Sequence, residues 1–267
     1  MTKIKSKTIL ITGGASGIGK ILCRLSLEKQ AKQVIFFDIN SEGIKKTEEE
    51  FADLGQIKGY KVDVSNFDEL QTTVEQVKSE FGFINILINC AGVAKGKFFH
   101  ENTHDDIDFI MKINTLAPMK LSNLLLPNMI EKNTGHICNI ASLAGMLSNP
   151  KMAIYAASKW AIIGWSDSIN IEMRQLKKEV KITTVSPYYI ATGMFDGIKS
   201  RLPILKPEKV ARKIIRAVEK NRRFLSMPFS YNFVRLCEGI LPVRLFDIII
   251  GKWLGVYKTM DEFKGRG

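Results

Sequence analysis

In the stretch AIYAASKWA, residues 153–161, a phenol stands four positions before an ammonium. On a helix, Tyr155 and Lys159 would share one face with Cβ atoms about 5–6 Å apart. A free tyrosine, with a pKa near about 10, is a poor base at neutral pH, but a neighbouring cation favours its phenolate. Such a pair can move the proton of an alcohol hydroxyl. The spacing alone fits a core tyrosine beside a solvated lysine equally well, so the surrounding elements must decide.

Short β-rich runs alternate with longer helical patterns. TILIT (8–12) reads as a buried strand, followed by a helix from Gly17 to Gln30, the strand QVIFFDI (33–39) and a charged helix from Glu42 to about Leu54. The strand KGYKVDV leads to Ser65, which with Asp68 reads as a capping box for a helix running to Phe81. INILINCAG (84–92), HICNIAS (136–142), KITTVSP (181–187) and FLSMP (224–228) read as further strands. Helical patterns cover about 103–132 and 152–176, and another begins near Pro207. Alternation of this kind implies an α/β fold with a doubly wound parallel sheet. Ligands of such sheets bind beyond the carboxyl ends of the strands.

Residues suited to a dinucleotide gather at those ends. Gly13, Ser16, Gly17, Ile18 and Gly19 lie between the first strand and the first helix, where glycines let the backbone approach a pyrophosphate held by helix N–H groups. Asp38 ends the second strand, where a carboxylate would accept from ribose hydroxyls and repel a 2′-phosphate, favouring NAD over NADP. Asp63 and Val64 end the third strand and could touch the adenine. Asn89, Ala91 and Gly92 end the fourth, and Ser142 ends the fifth.

In this order the residues resemble the short-chain dehydrogenase/reductase family over nearly the full length. The matching positions are T-G-x-x-x-G-x-G at 12–19, Asp38, Asp63, N-x-A-G at 89–92, Asn114, Ser142 and Y-x-x-x-K at 155–159. The resemblance implies one Rossmann-like domain, strand order 3-2-1-4-5-6-7, and a catalytic set of Asn114, Ser142, Tyr155 and Lys159. In that set Lys159 lowers the pKa of Tyr155, Ser142 holds the substrate oxygen, and Asn114 orders a water near Lys159. Tyr155 and Lys159 count among the cofactor contacts as well. After the sixth strand the family pattern P-G-x-x-x-T reads PYYIAT here, so Pro187 and Thr192 would contact the nicotinamide. Tyr188 replaces the usual glycine and would narrow the pocket or stack over substrate.

Around residues 193–207, Met194, Phe195, Ile198, Leu202, Ile204 and Leu205 suggest an apolar lid suited to a lipophilic alcohol or ketone, such as a steroid, retinoid or long-chain compound. Ser142, Tyr155, Tyr188 and Met194 are the expected substrate contacts. The region 229–267 reads as a helical extension beyond a core at about 6–228, more weakly similar to the retinol and 17β-hydroxysteroid dehydrogenase branch. Reduction of a 3-oxoacyl thioester on an acidic carrier fits less well, because Asp38 disfavours NADP. A non-catalytic NAD sensor need not keep all four residues of the catalytic set.

The chain has 267 residues, 45% of them hydrophobic, enough for one large core. Its four cysteines lack metal-ligand spacing and read as reduced core residues; the three histidines supply no metal set either. No run reaches the ~20 apolar residues of a membrane span, so a cytoplasmic protein is expected. The formal charge of +12 is concentrated in residues 199–223, where only Glu208 and Glu219 oppose ten cations. This patch, with the amphipathic tail Ile240–Trp253, suggests peripheral contact with an anionic membrane. Without interleaved aromatics it does not suggest nucleic acid. The family resemblance further implies a homodimer or homotetramer through the helices carrying Asn114 and Tyr155.

Overall fold

The structure is a computed structural model that describes residues 1–228, 236–237, 239–246, 248–249 and 256–265. Seven parallel strands form one sheet in the order β3-β2-β1-β4-β5-β6-β7. They are β1 Thr8–Thr12, β2 Gln33–Asp38, β3 Ile57–Lys61, β4 Ile86–Asn89, β5 Gly135–Ile140, β6 Val180–Pro187 and β7 Phe224–Met227. The central strands are buried on both faces, and this is why they read as continuous apolar runs rather than as alternations.

The strand period of two divides these runs between two cores. Ile9, Ile11, Val34, Phe36, Ile86 and Ile88 face the first, closed by α1 (Gly17–Glu28), α2 (Ser41–Phe51) and α7 (Pro207–Glu219). Leu10, Ile35, Phe37 and Leu87 face the second, closed by α3 (Phe67–Phe81), α5 (Ala117–Glu131) and α6 (Ala153–Gln175). The expected doubly wound order therefore holds. Helix α4 (His104–Met111) runs into a π-helical segment, Lys112–Leu116, before α5 begins.

One local expectation is corrected. The helix after β3 is capped not by Ser65 and Asp68 but by Asn66, whose side chain accepts from the Glu69 N–H. Ser65 is already committed, since its N–H and hydroxyl both donate to Asp63 Oδ1 at 2.9 and 2.7 Å. Pro118, four residues beyond Asn114 in the same continuous helical backbone, has no N–H to return to the π segment before it, and the Asn114 amide is committed to Val93 and Ser158.

The tail contributes to the core at several points. Phe246 is buried against Ala141, Leu143 and Ile162, with Leu241 and Ile249 packed on the same cluster. Ile240 and Leu245 are exposed, while Ile250 and Trp253, the rest of the anticipated apolar face, lie outside the described residues. Residues 256–263 run across the carboxyl edge of the sheet. There Met260 packs on Tyr155 and Tyr189, and Phe263 packs on Gly96 and Phe195. Among the described residues no helix is long and apolar enough to cross a membrane, and no cluster of metal-ligating side chains occurs.

Candidate active site

A cavity of about 300 Å³ opens along the carboxyl edge of the sheet. Of the residues expected to meet a cofactor, its wall contains Gly13, Ser16, Gly17, Ile18, Gly19, Asp38, Asp63, Val64, Ala91, Gly92, Tyr155, Lys159, Pro187 and Thr192. The expected substrate contacts Ser142, Tyr188 and Met194 share that wall with Tyr155. Asn89 and Asn114 do not belong to it. The Asn89 amide turns inward, donating to Asn139 Oδ1 at 2.8 Å and Ser122 Oγ at 3.3 Å, so its side-chain nitrogen is not offered to the cavity. Its part is to hold β4 to β5 beneath Ala91.

The glycine loop can receive a phosphate group. Gly13 has φ +72°, and a Cβ on Gly19 would lie 2.0 Å from the Gly13 carbonyl oxygen, so the loop closes only on a bare backbone. The helices α2 and α3 are each capped by an asparagine side chain, whereas Ser16 at the start of α1 makes no side-chain cap bond. The first turn of α1 thus keeps backbone donors directed at the cavity, the feature a pyrophosphate requires. Asp38 stands at the adjoining end with Oδ2 accepting from Ala15 N–H and Oδ1 from Asn40 N–H, at 3.0 and 3.1 Å. Each oxygen retains a second lone pair for a hydroxyl. The donor set and the bare-backbone turn fit a dinucleotide.

At the other end the α6 helix carries Tyr155 and Lys159 on one face, both buried. Ser142, just past β5, faces the Tyr155 phenol and draws its pKa downward, but burial outweighs this and pushes it up to about 12. Lys159 stands one turn further along the same helix. Its Nζ donates to Ile140 O at 3.0 Å and lies 5.7 Å from the Tyr155 ring centre, and burial lowers its own pKa to about 8. Without a cofactor, desolvation dominates both groups and keeps the phenol protonated. A protonated phenol beside a carbonyl oxygen is a general acid.

Asn114 stands behind this pair. Its Oδ1 accepts from Val93 N–H and its Nδ2 donates to Val93 O, each at 2.9 Å, with a longer bond to Ser158 Oγ at 3.2 Å. Ser158 in turn donates to the Tyr155 carbonyl at 2.7 Å. The π segment thus clamps the loop after β4 to the helix bearing Tyr155. The same loop is tied lower down, where Lys95 and Lys97 pair with Asp106 and hold its carboxyl well below the usual range.

Several wall residues carry no motif. Leu143, Ala144, Leu147, Asn149, Met152, Tyr189, Phe195 and Val256 complete the end nearest Tyr155. The apolar run LAGML after Ser142 was a usable signal for the first three, and Phe195 belonged to the anticipated lid. Of that lid only Met194 and Phe195 reach the cavity. Leu202 and Leu205 pack on the domain, and Ile204 is exposed. Tyr188 lines the cavity, with its hydroxyl 2.8 Å from Ser200 Oγ and its ring edge-on to Tyr189.

The profile of the family described as "short chain dehydrogenase" matches residues 7–202. The chain belongs to that family. Its general activity is oxidoreduction, and the glycine turn, Ser142 and the Tyr155–Lys159 pair of this dehydrogenase all fall within the matched span. Epidermal retinol dehydrogenase 2 from Mus musculus is 33% identical over 270 residues, covering 98% of this chain and 87% of that protein. 17-beta-hydroxysteroid dehydrogenase 13 from Rattus norvegicus is 30% identical over 249 residues, covering 92% and 83%. Among solved structures, a short chain dehydrogenase/reductase from Burkholderia phymatum in complex with NAD superposes with a TM-score of 0.82 at 24% identity, over 94% of this chain and 96% of that one. That likeness extends the dehydrogenase fold beyond residue 202, across β7.

Proposed function

We propose that the protein transfers hydride between NAD(H) and an alcohol or carbonyl group of a lipophilic substrate. The observation that carries this reading is one continuous cavity with a bare-backbone phosphate turn and a carboxylate at one end, and a protonated phenol in an apolar chamber at the other. A bound nicotinamide supplies or accepts the hydride. Tyr155 gives its proton to the carbonyl oxygen during reduction and recovers it during alcohol oxidation. Ser142 holds that oxygen in line, and Lys159 steadies the phenolate that reduction leaves behind. Asn114 keeps the loop after β4 and the helix carrying Tyr155 in fixed relation.

NAD rather than NADP follows from Asp38, whose charge at the ribose end opposes a 2′-phosphate. The apolar chamber favours a retinoid, steroid or long-chain compound, in keeping with the names of the mouse and rat relatives. Peripheral membrane contact is part of the same reading, through Lys209, Arg212, Lys213 and Arg216 on the exposed face of α7. So is pairing of two copies along α4–α6, where Phe109, Leu116, Trp160 and Ile171 are exposed.

The deciding experiment follows NADH fluorescence with a panel of lipophilic alcohols, NADP being offered in parallel. Turnover with NAD that drops ~100-fold or more in Tyr155→Phe is expected, since general acid–base catalysis of this kind contributes about 10²–10⁴. Equal rates for the two forms would remove Tyr155 from the chemistry. A preference for NADP would overturn the part given to Asp38.

A further inference from the structure

Beyond the reacting groups and the hydroxyls of Tyr188 and Tyr189, the chamber beside Tyr155 is mostly apolar. Leu147, Met152, Met194, Phe195 and Val256 border it, yet so does the carboxamide of Asn149. Its Nδ2 approaches two hydroxyls, Thr259 Oγ1 at 3.2 Å and Tyr189 OH at 3.3 Å. The Thr259 hydroxyl spends its single proton on Val256 O at 2.9 Å, so towards Asn149 it can only accept. The atom facing it must therefore be the amide nitrogen, and the orientation of the carboxamide is fixed by its neighbours rather than chosen. Asn149 Oδ1 is left over: among the described residues it accepts no hydrogen bond, in a side chain that borders the cavity beside Leu147, Met152 and Val256.

We propose that Asn149 Oδ1 is a second polar contact for the substrate, selecting a lipophilic alcohol or ketone that carries a further hydroxyl away from the reacting carbon. This rests on the reading of the cavity as an alcohol dehydrogenase site and narrows its substrate class. An acceptor calls for a donor, which a ketone, ether or methyl terminus lacks. Charge decides between donors. Lys151 stands two residues along the chain, paired with Asp261 only at 3.8 Å, and Lys159 lies in the same wall, so an ammonium is opposed where a neutral hydroxyl is not. Tyr189, held by Asn149 through its hydroxyl, also packs on Tyr155. One substrate molecule can therefore span from the reacting phenol to the amide along a single aromatic wall.

The test compares 1-alkanols with α,ω-alkanediols of matched chain length, by NAD-linked kcat/KM and by thermal shift of the NADH-loaded protein. The wild type is expected to favour the diol roughly tenfold within one window of chain length, the scale of one net hydrogen bond. Asn149→Leu removes acceptor and donor, and its ratio is expected to fall to about one. Asn149→Asp keeps acceptors but loses the donor to Tyr189 and Thr259, and is expected to retain the preference. Loss in both variants would mean that Asn149 only fastens residues 256–263, and would overturn the proposal. So would a wild type that never favours a diol. If no alcohol is turned over, the catalytic reading fails, and the thermal shifts still judge this one: a larger shift with the diol in wild type but not in Asn149→Leu upholds it, and equal shifts reject it.

Discussion

Tyr155 and Lys159 occupy neighbouring turns of one helix, and burial acts on them in opposite directions. It raises the phenol to about 12 and lowers the ammonium to about 8. Below about pH 8 the pair is a neutral acid beside a cation, the state suited to reduction. As pH rises through 8, Lys159 gives up its proton and with it the charge that would steady a phenolate. For carbonyl reduction, kcat/KM should be flat up to about pH 8 and then fall towards tenfold per pH unit, while Lys159→Ala should be slower and lack that break. A stopped-assay pH series reads both. The identity of these two residues was plain in the sequence, but the balance between them was not. Spacing put a cation near a phenol, whereas the dominant influence is the loss of water around both, which depends on Met152, Tyr189 and Met260 packing over the site.

Among the elements, the π segment Lys112–Leu116 has the clearest consequence. It places Asn114 where one side chain satisfies both the N–H and the C=O of Val93. Asn114→Ala would leave those two backbone groups without their partner, at a cost of about 1–3 kcal/mol, measurable by urea unfolding. Activity should fall further than stability explains, because the loop after β4 loses its tie to α6. A second prediction concerns residues 256–263. Met260→Ala should raise KM for lipophilic alcohols several-fold and leave NADH binding, followed by fluorescence, within about twofold, since Met260 packs on the substrate end alone. The strands were legible because TILIT and QVIFFD are short, apolar and punctuated by glycine or polar turns. The helix cap after β3 was misread because two adjacent residues, Ser65 and Asn66, both suit a cap, and only the hold of Asp63 on Ser65 decides between them. Asn149, Tyr189 and Val256 had no signal at all, because they meet through tertiary packing across more than a hundred positions.

At the scale of the molecule, the edge opposite the cavity hides a titrating group. His136, at the start of β5, is fully buried between Thr2 Oγ1 at 3.0 Å and Thr183 Oγ1 at 2.8 Å, and burial lowers its pKa to about 3. Its unfolded value is about 6.5. Above that pH both states are neutral and nothing is lost. Between about 6.5 and 3 the unfolded chain takes up a proton that the folded one refuses, so stability falls as the pH falls through this window. Melting temperatures of wild type should therefore decline more steeply from pH 7 to pH 4 than those of His136→Gln, and parallel curves would exclude His136 as the cause.

The wall formed by residues 256–263 separates the two tasks of the cavity along the chain. The phosphate turn and Asp38 come from its first two strand ends, whereas Val256 and Met260 come from the late segment and meet only the end that holds Tyr155. Substitutions in that late segment can therefore redirect the choice of alcohol while leaving untouched every group offered to the dinucleotide.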